Sequence, residues 1–281
     1  GMTYRECYEY GRNVLREASV PDAALDARLL LEFVCQTSYN DLLLYGDRIV
    51  EEEKVSSYKM LIQKRKERVP LQQITGEQYF CGYPFFVNEN VLTPRADTEI
   101  LVEEALKKLK AGDSILDMCT GSGCILLSLL LMKEDCRGIG VDLSEKALQV
   151  AEKNRRQLLP EKTDCVFLQS NLFETLPEEK FSLLVSNPPY IKTADIEELM
   201  PEVKDHEPRM ALDGESDGLF FYRKIAGEAK RYLTKGGYIL FEIGFDQREQ
   251  VCGILTENGY CEVEARKDYA GLDRVVMGRM E

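Results

Sequence analysis

The stretch ILDMCTGSGC, Ile115 to Cys124, decides the fold. A short apolar run ends there in small residues and glycines, and the very apolar ILLSLLLM (residues 125–132) follows at once. That reads as a strand, a tight turn and a helix. The alternation continues through CRGIGVD, SEKALQVAEKNRRQLL, DCVFLQ and FSLLVS to a long helix around Arg223 to Leu233. Strands alternating with helices build a mostly parallel sheet wrapped by helices on both faces. Near the end, GYILFEI, a helix from Gln247 to Asn258, YCEVEARKDY and DRVVMGRM read as a strand, a helix and two strands. The link between the closing two is so short that they pair only antiparallel. The expected class is α/β, a Rossmann-like, mostly parallel sheet with an antiparallel last strand.

Upstream the character differs. The first 70 or so residues repeat an amphipathic helical period, as in ALDARLLLEFV, where Leu25, Leu29 and Phe33, and beside them Leu30 and Val34, recur at helical spacing. Residues 1–74 are expected to form a small helical bundle that recognises a substrate. Residues 75–94, rich in aromatics and turn formers such as CGYP and NEN, are expected to form a β-hairpin linker. Residues 95–281 carry the sheet, opening with the helix DTEILVEEALKKLKAGD, which has acids in its first turn, lysines in its last and Gly112 as its stop.

Composition narrows the chemistry. A net charge of -13 disfavours a nonspecific binder of polyanions, whose affinity comes from Lys and Arg on phosphates. The acidic excess lies beyond residue 75, and the basic cluster KRKER (Lys64–Arg68) is either a solvated helix face or a docking patch. Nine cysteines without C-x-x-C spacing suit reduced intracellular thiols. With a single histidine, His206, neither a His-based metal site nor a Ser-His-Asp triad is supported, and no metal is expected. No apolar run is long enough for a membrane span, and the N-terminus lacks a signal core, so the expectation is a cytoplasmic protein without membrane partners. Gly1 before Met2 reads as a cloning remnant.

Ligands of open α/β sheets bind beyond the carboxyl ends of the strands. The glycine turn there pairs with Asp142, which ends the next strand, 19 positions after Gly123, a spacing at which an acid reaches a ribose hydroxyl pair. Together they indicate an adenosine-bearing ligand. A dinucleotide fingerprint carries a third glycine, but Gly121-Ser122-Gly123 runs on into Cys124, Ile125 and Leu126. Asp117 just before the turn repels a pyrophosphate and suits an ammonium group, which points to S-adenosylmethionine; the alternative is that Asp117 only caps the turn.

SNPPY (Ser186–Tyr190) follows the apolar FSLLV and lies at the same edge of the sheet. Methyl transfer to a planar nitrogen is limited by a delocalised lone pair. Two acceptors on the NH2 protons hold such a group and aim its lone pair. The Asn187 side-chain oxygen is one and the Pro188 carbonyl the other. Pro188 and Pro189 stiffen the loop by fixing φ, and Tyr190 offers a flat face. The bland alternative is an incidental strand-ending turn.

DMCTGSG, GVDLS, QSNLF and SNPPYI, in this order, resemble the class I S-adenosylmethionine-dependent methyltransferases that act on planar amino groups. N6-adenine DNA methyltransferases share the Asn-Pro-Pro-Tyr segment. QQITGEQYFCGYPFFVNENVLTPRADTEILVE and EPRMALDGESDGLFFYRKI are similar to HemK-type protein glutamine N5-methyltransferases, especially those acting on peptide-chain release factors. The likeness covers nearly the whole chain. It implies that Cys119, Thr120, Gly121, Ser122 and Gly123 line the donor, Asp142 binds its ribose and Asn171 and Leu172 lie beside the adenine. It implies that Asn187, Pro188, Pro189 and Tyr190 receive a glutamine of a Gly-Gly-Gln motif. The chain departs from the pattern at Cys119, which stands at the first glycine position, and at Asn171-Leu172, which replace an acid and an aromatic. Arg95 reads either as positioning a ligand or as a hairpin salt bridge, and His206 as structural. The alternatives are glutamine methylation of a ribosomal protein, an adenine DNA methyltransferase, for which a basic DNA-reading domain is missing, and a donor-binding module without turnover.

Overall fold

The structure, a computed structural model, describes all 281 residues. Its contacts divide into two units, Gly1–Gly76 with Met200–His206, and Glu77–Leu199 with Glu207–Glu281.

The first unit is helical, with α1 (Tyr4–Glu17), α2 (Ala23–Cys35), α3 (Tyr39–Leu44), α4 (Glu52–Lys66) and α5 (Leu71–Thr75). Helix α1 opens on a capping box, in which the Thr3 hydroxyl accepts from the Glu6 amide and the Glu6 carboxylate from the Thr3 amide. Leu15, Leu30, Leu31, Tyr58 and Ile62 fill the core. The inward face of α2 differs from the expected stripe. Leu25 and Phe33 are 45% and 47% exposed, while Ala27, Leu30 and Leu31 are buried. Apolar residues cover most of this helix, so spacing alone leaves its orientation open. A polar contact marks the inward side: buried Arg65 donates through Nε to Asp26 Oδ2 at 2.8 Å.

Arg65 also settles the basic cluster, because it is not a solvated residue at all. Its Nη2 donates to Glu202 Oε2 at 2.8 Å, and Arg68 grips both Glu202 oxygens through Nε and Nη2 at 2.8 Å. This ion-pair cluster explains why Met200–His206 groups with the helical unit. Burial pushes the Glu202 carboxyl up, but the bonds from Arg68 and Arg65 outweigh it and hold it at about 2.

In the second unit the hairpin β1 (Glu77–Phe80) and β2 (Tyr83–Phe86) precedes α6 (Glu99–Lys108). Then come β3 (Ser114–Met118), α7 (Cys124–Met132), β4 (Arg137–Asp142), α8 (Glu145–Leu158), β5 (Cys165–Gln169) and β6 (Phe181–Ser186). The short α9 (Pro201–Lys204) lies in the segment grouped with the first unit. The chain finishes with α10 (Phe220–Ala229), β7 (Leu233–Glu242), α11 (Arg248–Glu257), β8 (Cys261–Lys267) and β9 (Asp273–Arg279). The seven-stranded sheet runs β5-β4-β3-β6-β7-β9-β8, and only β9 is antiparallel to its neighbours.

Both faces of the sheet are covered, so β3 is buried along its whole length. Helix α7 is apolar all round and accordingly buried from Cys124 to Leu130. One boundary differs from the sequence reading. The helix expected to reach Leu233 stops at Ala229, and Leu233 pairs with Phe181 as the first residue of β7. No helix joins β5 to β6; residues 170–180 form turns around the buried Phe173 and Leu176. No helix is long and apolar enough to cross a membrane.

The strand order reverses at β3. The chain lays β4 and β5 to one side, then returns to add β6 on the other. Crevices open at such switch points, beyond the carboxyl ends of the strands.

Candidate active site

The register of β3 against β6 pairs Met118 with Ser186, so the glycine turn and the Asn187 loop leave the sheet side by side. The Ser186 hydroxyl ties the two exits together by donating to the Met118 carbonyl at 2.6 Å. A cavity of about 420 Å³ opens at this point, within the size range of small-molecule sites.

Of the expected residues, Cys119, Thr120, Gly121 and Ser122 form one part of its wall, and Asp142 another. Asn171 and Leu172 reach it after β5, and Asn187 and Pro189 after β6. Asp117, Gly123, Pro188 and Tyr190 are not on the wall. Gly123 is instead the N-cap of α7, and Tyr190 turns its hydroxyl to Glu242 Oε2 at 3.1 Å.

The turn has an unusual backbone. Cys119, Gly121 and Gly123 have φ of 65°, 54° and 80°. A Cβ on Gly121 would meet nothing within 4 Å, so only its backbone demands glycine; one on Gly123 would also lie 3.0 Å from the Phe167 ring. Cys119 bears a side chain in this region, at a cost of about 1–2 kcal/mol. The Thr120 amide donates to the Val141 carbonyl at 2.8 Å and the Gly121 amide to Asp142 Oδ2 at 2.9 Å. Asp142 Oδ1 accepts from the Ser144 amide at 3.0 Å. Each Asp142 oxygen thus shapes the wall and keeps a further lone pair.

Burial raises the pKa of Asp142, against the pull of the Ser144, Gly121 and Leu143 amides. The fully buried Asp117 is pushed up to about 7, because burial outweighs the Thr120 hydroxyl and the Asp142 charge adds to the shift. That hydroxyl donates to Asp117 Oδ2 at 2.7 Å. Oδ1 has no hydrogen-bond partner; the Leu126 amide pulls on the carboxylate from outside bonding geometry. Burial also pushes the Cys119 and Cys124 thiols far up, so neither supplies a thiolate at neutral pH.

Arg95 belongs to the wall and is ion-paired as well. Its ion-pair partner is Glu207, reached through Nη2 at 3.1 and 3.0 Å, and its Nη1 donates to the Thr93 carbonyl at 3.2 Å. His206 is off the wall, and its carbonyl accepts from Gln73 Nε2 at 2.8 Å.

The chain is 40% identical over 278 residues to a release factor glutamine methyltransferase of Geobacter sulfurreducens, covering 99% of this chain and 97% of that one. The enzyme of the same description from Caulobacter vibrioides is 37% identical over 279 residues, with 99% and 96% covered. The chain belongs to the release factor glutamine methyltransferase family. Two family models fit it, a PrmC N-terminal domain over residues 6–76 and a methyltransferase domain over residues 109–265. A solved methyltransferase from Pyrococcus furiosus shares the fold, with a TM-score of 0.54 at 16% identity, covering 80% of this chain and 98% of that one.

Several residues of this release factor glutamine methyltransferase family member escaped the sequence reading. Buried Asn154 on α8 exchanges hydrogen bonds with the Phe86 backbone at 2.7 and 3.0 Å and donates to the Ser122 carbonyl at 2.9 Å. It therefore ties hairpin, helix and glycine turn within one unit. Its signal is an amide continuing the stripe of Ala147, Val150 and Ala151. Glu242, 3% exposed at the end of β7, accepts from the hydroxyls of Thr98 and Tyr190. Gln247 donates to the Tyr190 carbonyl at 2.9 Å. Their signal is an acid ending the apolar strand in ILFE and an amide opening the next helix.

Proposed function

We propose that the cavity binds S-adenosylmethionine and that Asn187 and Pro188 hold the side-chain amide of a glutamine, in the Gly-Gly-Gln motif of a peptide-chain release factor. The observation that carries this reading is the Met118–Ser186 register, which sets Asn187 beside the glycine turn on one cavity wall. The relatives bear on the acceptor, since those at 40% and 37% identity are release factor glutamine methyltransferases.

The residues present suit such a donor. The open space over Gly121 admits a ligand against the backbone. Asp117 lies behind the wall, bonded to Thr120, and its unpartnered Oδ1 leaves negative charge there that suits a cation at Thr120. Thr120, braced from behind the wall by Asp117, would hold the ammonium end, Asp142 the ribose, and Asn171 and Leu172 the adenine. When bound, S-adenosylmethionine supplies an electrophilic methyl group on a sulfonium.

The chain's own contribution is orientation. No hydrogen bond within the protein occupies the Asn187 side chain, so its oxygen is free to accept one N–H of a substrate amide. The Pro188 carbonyl accepts the second. Held by both protons, the amide nitrogen presents its lone pair in one direction, and the gain is entropic and electrostatic. The prolines keep this clamp stiff. We assign recognition of the intact protein substrate to residues 1–74 and activity to the cytoplasm. In support of the former, the helical unit has a groove of about 530 Å³ bordered by Tyr8, Leu25, Tyr39 and Leu43. Exposed apolar surface of this kind marks protein-binding sites.

Incubation with methyl-labelled donor and a release factor, a ribosomal protein or adenine-containing DNA tests the assignment. Label on the glutamine of the Gly-Gly-Gln motif is expected. Label only on the ribosomal protein or the DNA overturns it.

A further inference from the structure

We propose that Glu242 and Gln247 are positioning residues that hold Tyr190 by its two polar ends and thereby keep Asn187 in one orientation. The inference rests on the reading of Asn187 given above and names what keeps that side chain in place.

The loop from Ser186 to Tyr190 is pinned at both ends. At its start the Ser186 hydroxyl bonds the Met118 carbonyl at 2.6 Å. At its end the Tyr190 hydroxyl donates to Glu242 Oε2 at 3.1 Å, and the Tyr190 carbonyl accepts from Gln247 Nε2 at 2.9 Å. The holders are themselves held. Glu242 Oε1 accepts from Thr98, and its carbonyl accepts from the Tyr222 hydroxyl at 2.7 Å. Gln247 Oε1 accepts from the Gly244 amide at 2.9 Å, and Nε2 also approaches the Gly218 carbonyl at 3.3 Å. A Cβ on Gly214 would lie only 2.8 Å from the Tyr190 Cα, so backbone closes on the tyrosine as well.

Neither Glu242 nor Gln247 reaches the cavity wall, so neither touches the reactants. Yet Glu242 is a carboxylate 3% exposed, which is costly to bury and serves no packing need that an apolar residue would not meet better. Its bonds lead to the tyrosine that closes the Asn187 loop. Between the two pins lie only Asn187 and two prolines of fixed φ, so a shift at Tyr190 is transmitted to Asn187 with little backbone freedom to absorb it.

The test uses the whole chain, S-adenosylmethionine and a Gly-Gly-Gln peptide, with Tyr190→Phe, Glu242→Met and the double variant. Losing a hydrogen bond to a charged group predicts a fall in kcat of about tenfold for each single variant. Donor Kd and peptide KM should stay within about twofold, since only orientation is lost. The double variant should be no slower than the worse single one, because both remove the same bond. NMR relaxation of the Asn187 side-chain amide should show greater disorder in all three variants relative to wild type. Unchanged kcat, losses that multiply in the double variant, or a loss that only tracks a lower Tm while the Asn187 amide stays ordered would each overturn the proposal. Wild-type protein inert toward the peptide counts against the functional reading instead, and the Asn187 relaxation then decides this inference alone.

Discussion

Donor binding should depend on pH through Asp117. Its carboxyl is fully buried, bonded at one oxygen only, and pushed up to about 7 from an ordinary 3.8. A rise of about 3 units corresponds to roughly 4 kcal/mol against the charged form. Because the folded value is raised, ionising Asp117 costs stability: its contribution is full below the ordinary carboxylate range and is lost as pH rises through about 7. An ammonium group at Thr120, which Asp117 bonds from behind, reverses that preference by its charge. The bound state then holds the carboxylate, and at pH 6 a proton must leave before the ligand is accommodated.

For a group titrating at about 7, the free fraction in the binding form gives a Kd at pH 6 roughly eightfold above that at pH 7.5. About 0.9 proton should be released per ligand bound at pH 6. Calorimetry with S-adenosylhomocysteine, in buffers of different ionisation enthalpy, reads both quantities. Asp142 is raised as well, so Asp117→Asn is the necessary comparison: its binding should be weak and flat over this range. A wild-type Kd independent of pH with no proton release would refute the reasoning, as would an unchanged slope in Asp117→Asn.

Asn187→Ala should lower kcat by about a hundredfold or more while donor Kd changes little, since it removes an acceptor used on the substrate side; equal damage to donor binding would place Asn187 elsewhere in the mechanism. Gly121→Ala and Gly123→Ala should separate ligand approach from packing. Both strain a left-handed backbone, but only Gly123→Ala also drives a Cβ to 3.0 Å from Phe167, so it should lose about 2–3 kcal/mol in denaturant titrations. Gly121→Ala should lose mainly donor affinity. Glu202→Gln should weaken the helical unit by about 2–3 kcal/mol at pH 7, read by hydrogen exchange over α4, from a carboxyl held at about 2 instead of its ordinary 4.5. Because that pKa is depressed, the contribution is full above the ordinary value and fades as pH falls toward about 2, so most of the difference should vanish by pH 3. Leu43→Asp in the helical groove should raise KM for an intact release factor and leave a short Gly-Gly-Gln peptide unaffected.

The parts of the molecule legible in the sequence are those whose causes are local. The glycine turn announces itself because left-handed backbone at Gly121 and Gly123 restricts residue type at the position itself. The hairpin is visible because the tight turn at Cys81–Gly82 joins strands only two residues apart. The order of β3, β4 and β5 follows from alternation, and the closing antiparallel pair from a link too short for a crossover.

What stayed hidden depends on partners far along the chain. Tyr190 reads as a stacking face until Glu242, 52 positions later, takes its hydroxyl. Asn154 is one amide on an amphipathic helix until Phe86, 68 positions earlier, uses both of its ends. Arg65 is one of five residues in a basic run, and only Asp26 and Glu202 distinguish it as buried. In each case the local pattern is compatible with several environments, and the choice is made by a polar group that burial obliges to find a partner. The two kinds of residue divide the work of the site. Locally legible residues such as Gly121 and Asn187 form the surface a ligand meets, whereas the long-range ones fix how that surface is held. If orientation of a weakly nucleophilic amide is the chemical problem, substitutions at Tyr190 and Glu242 should slow turnover without weakening binding, the opposite of what altering Gly121 or Asp142 should do.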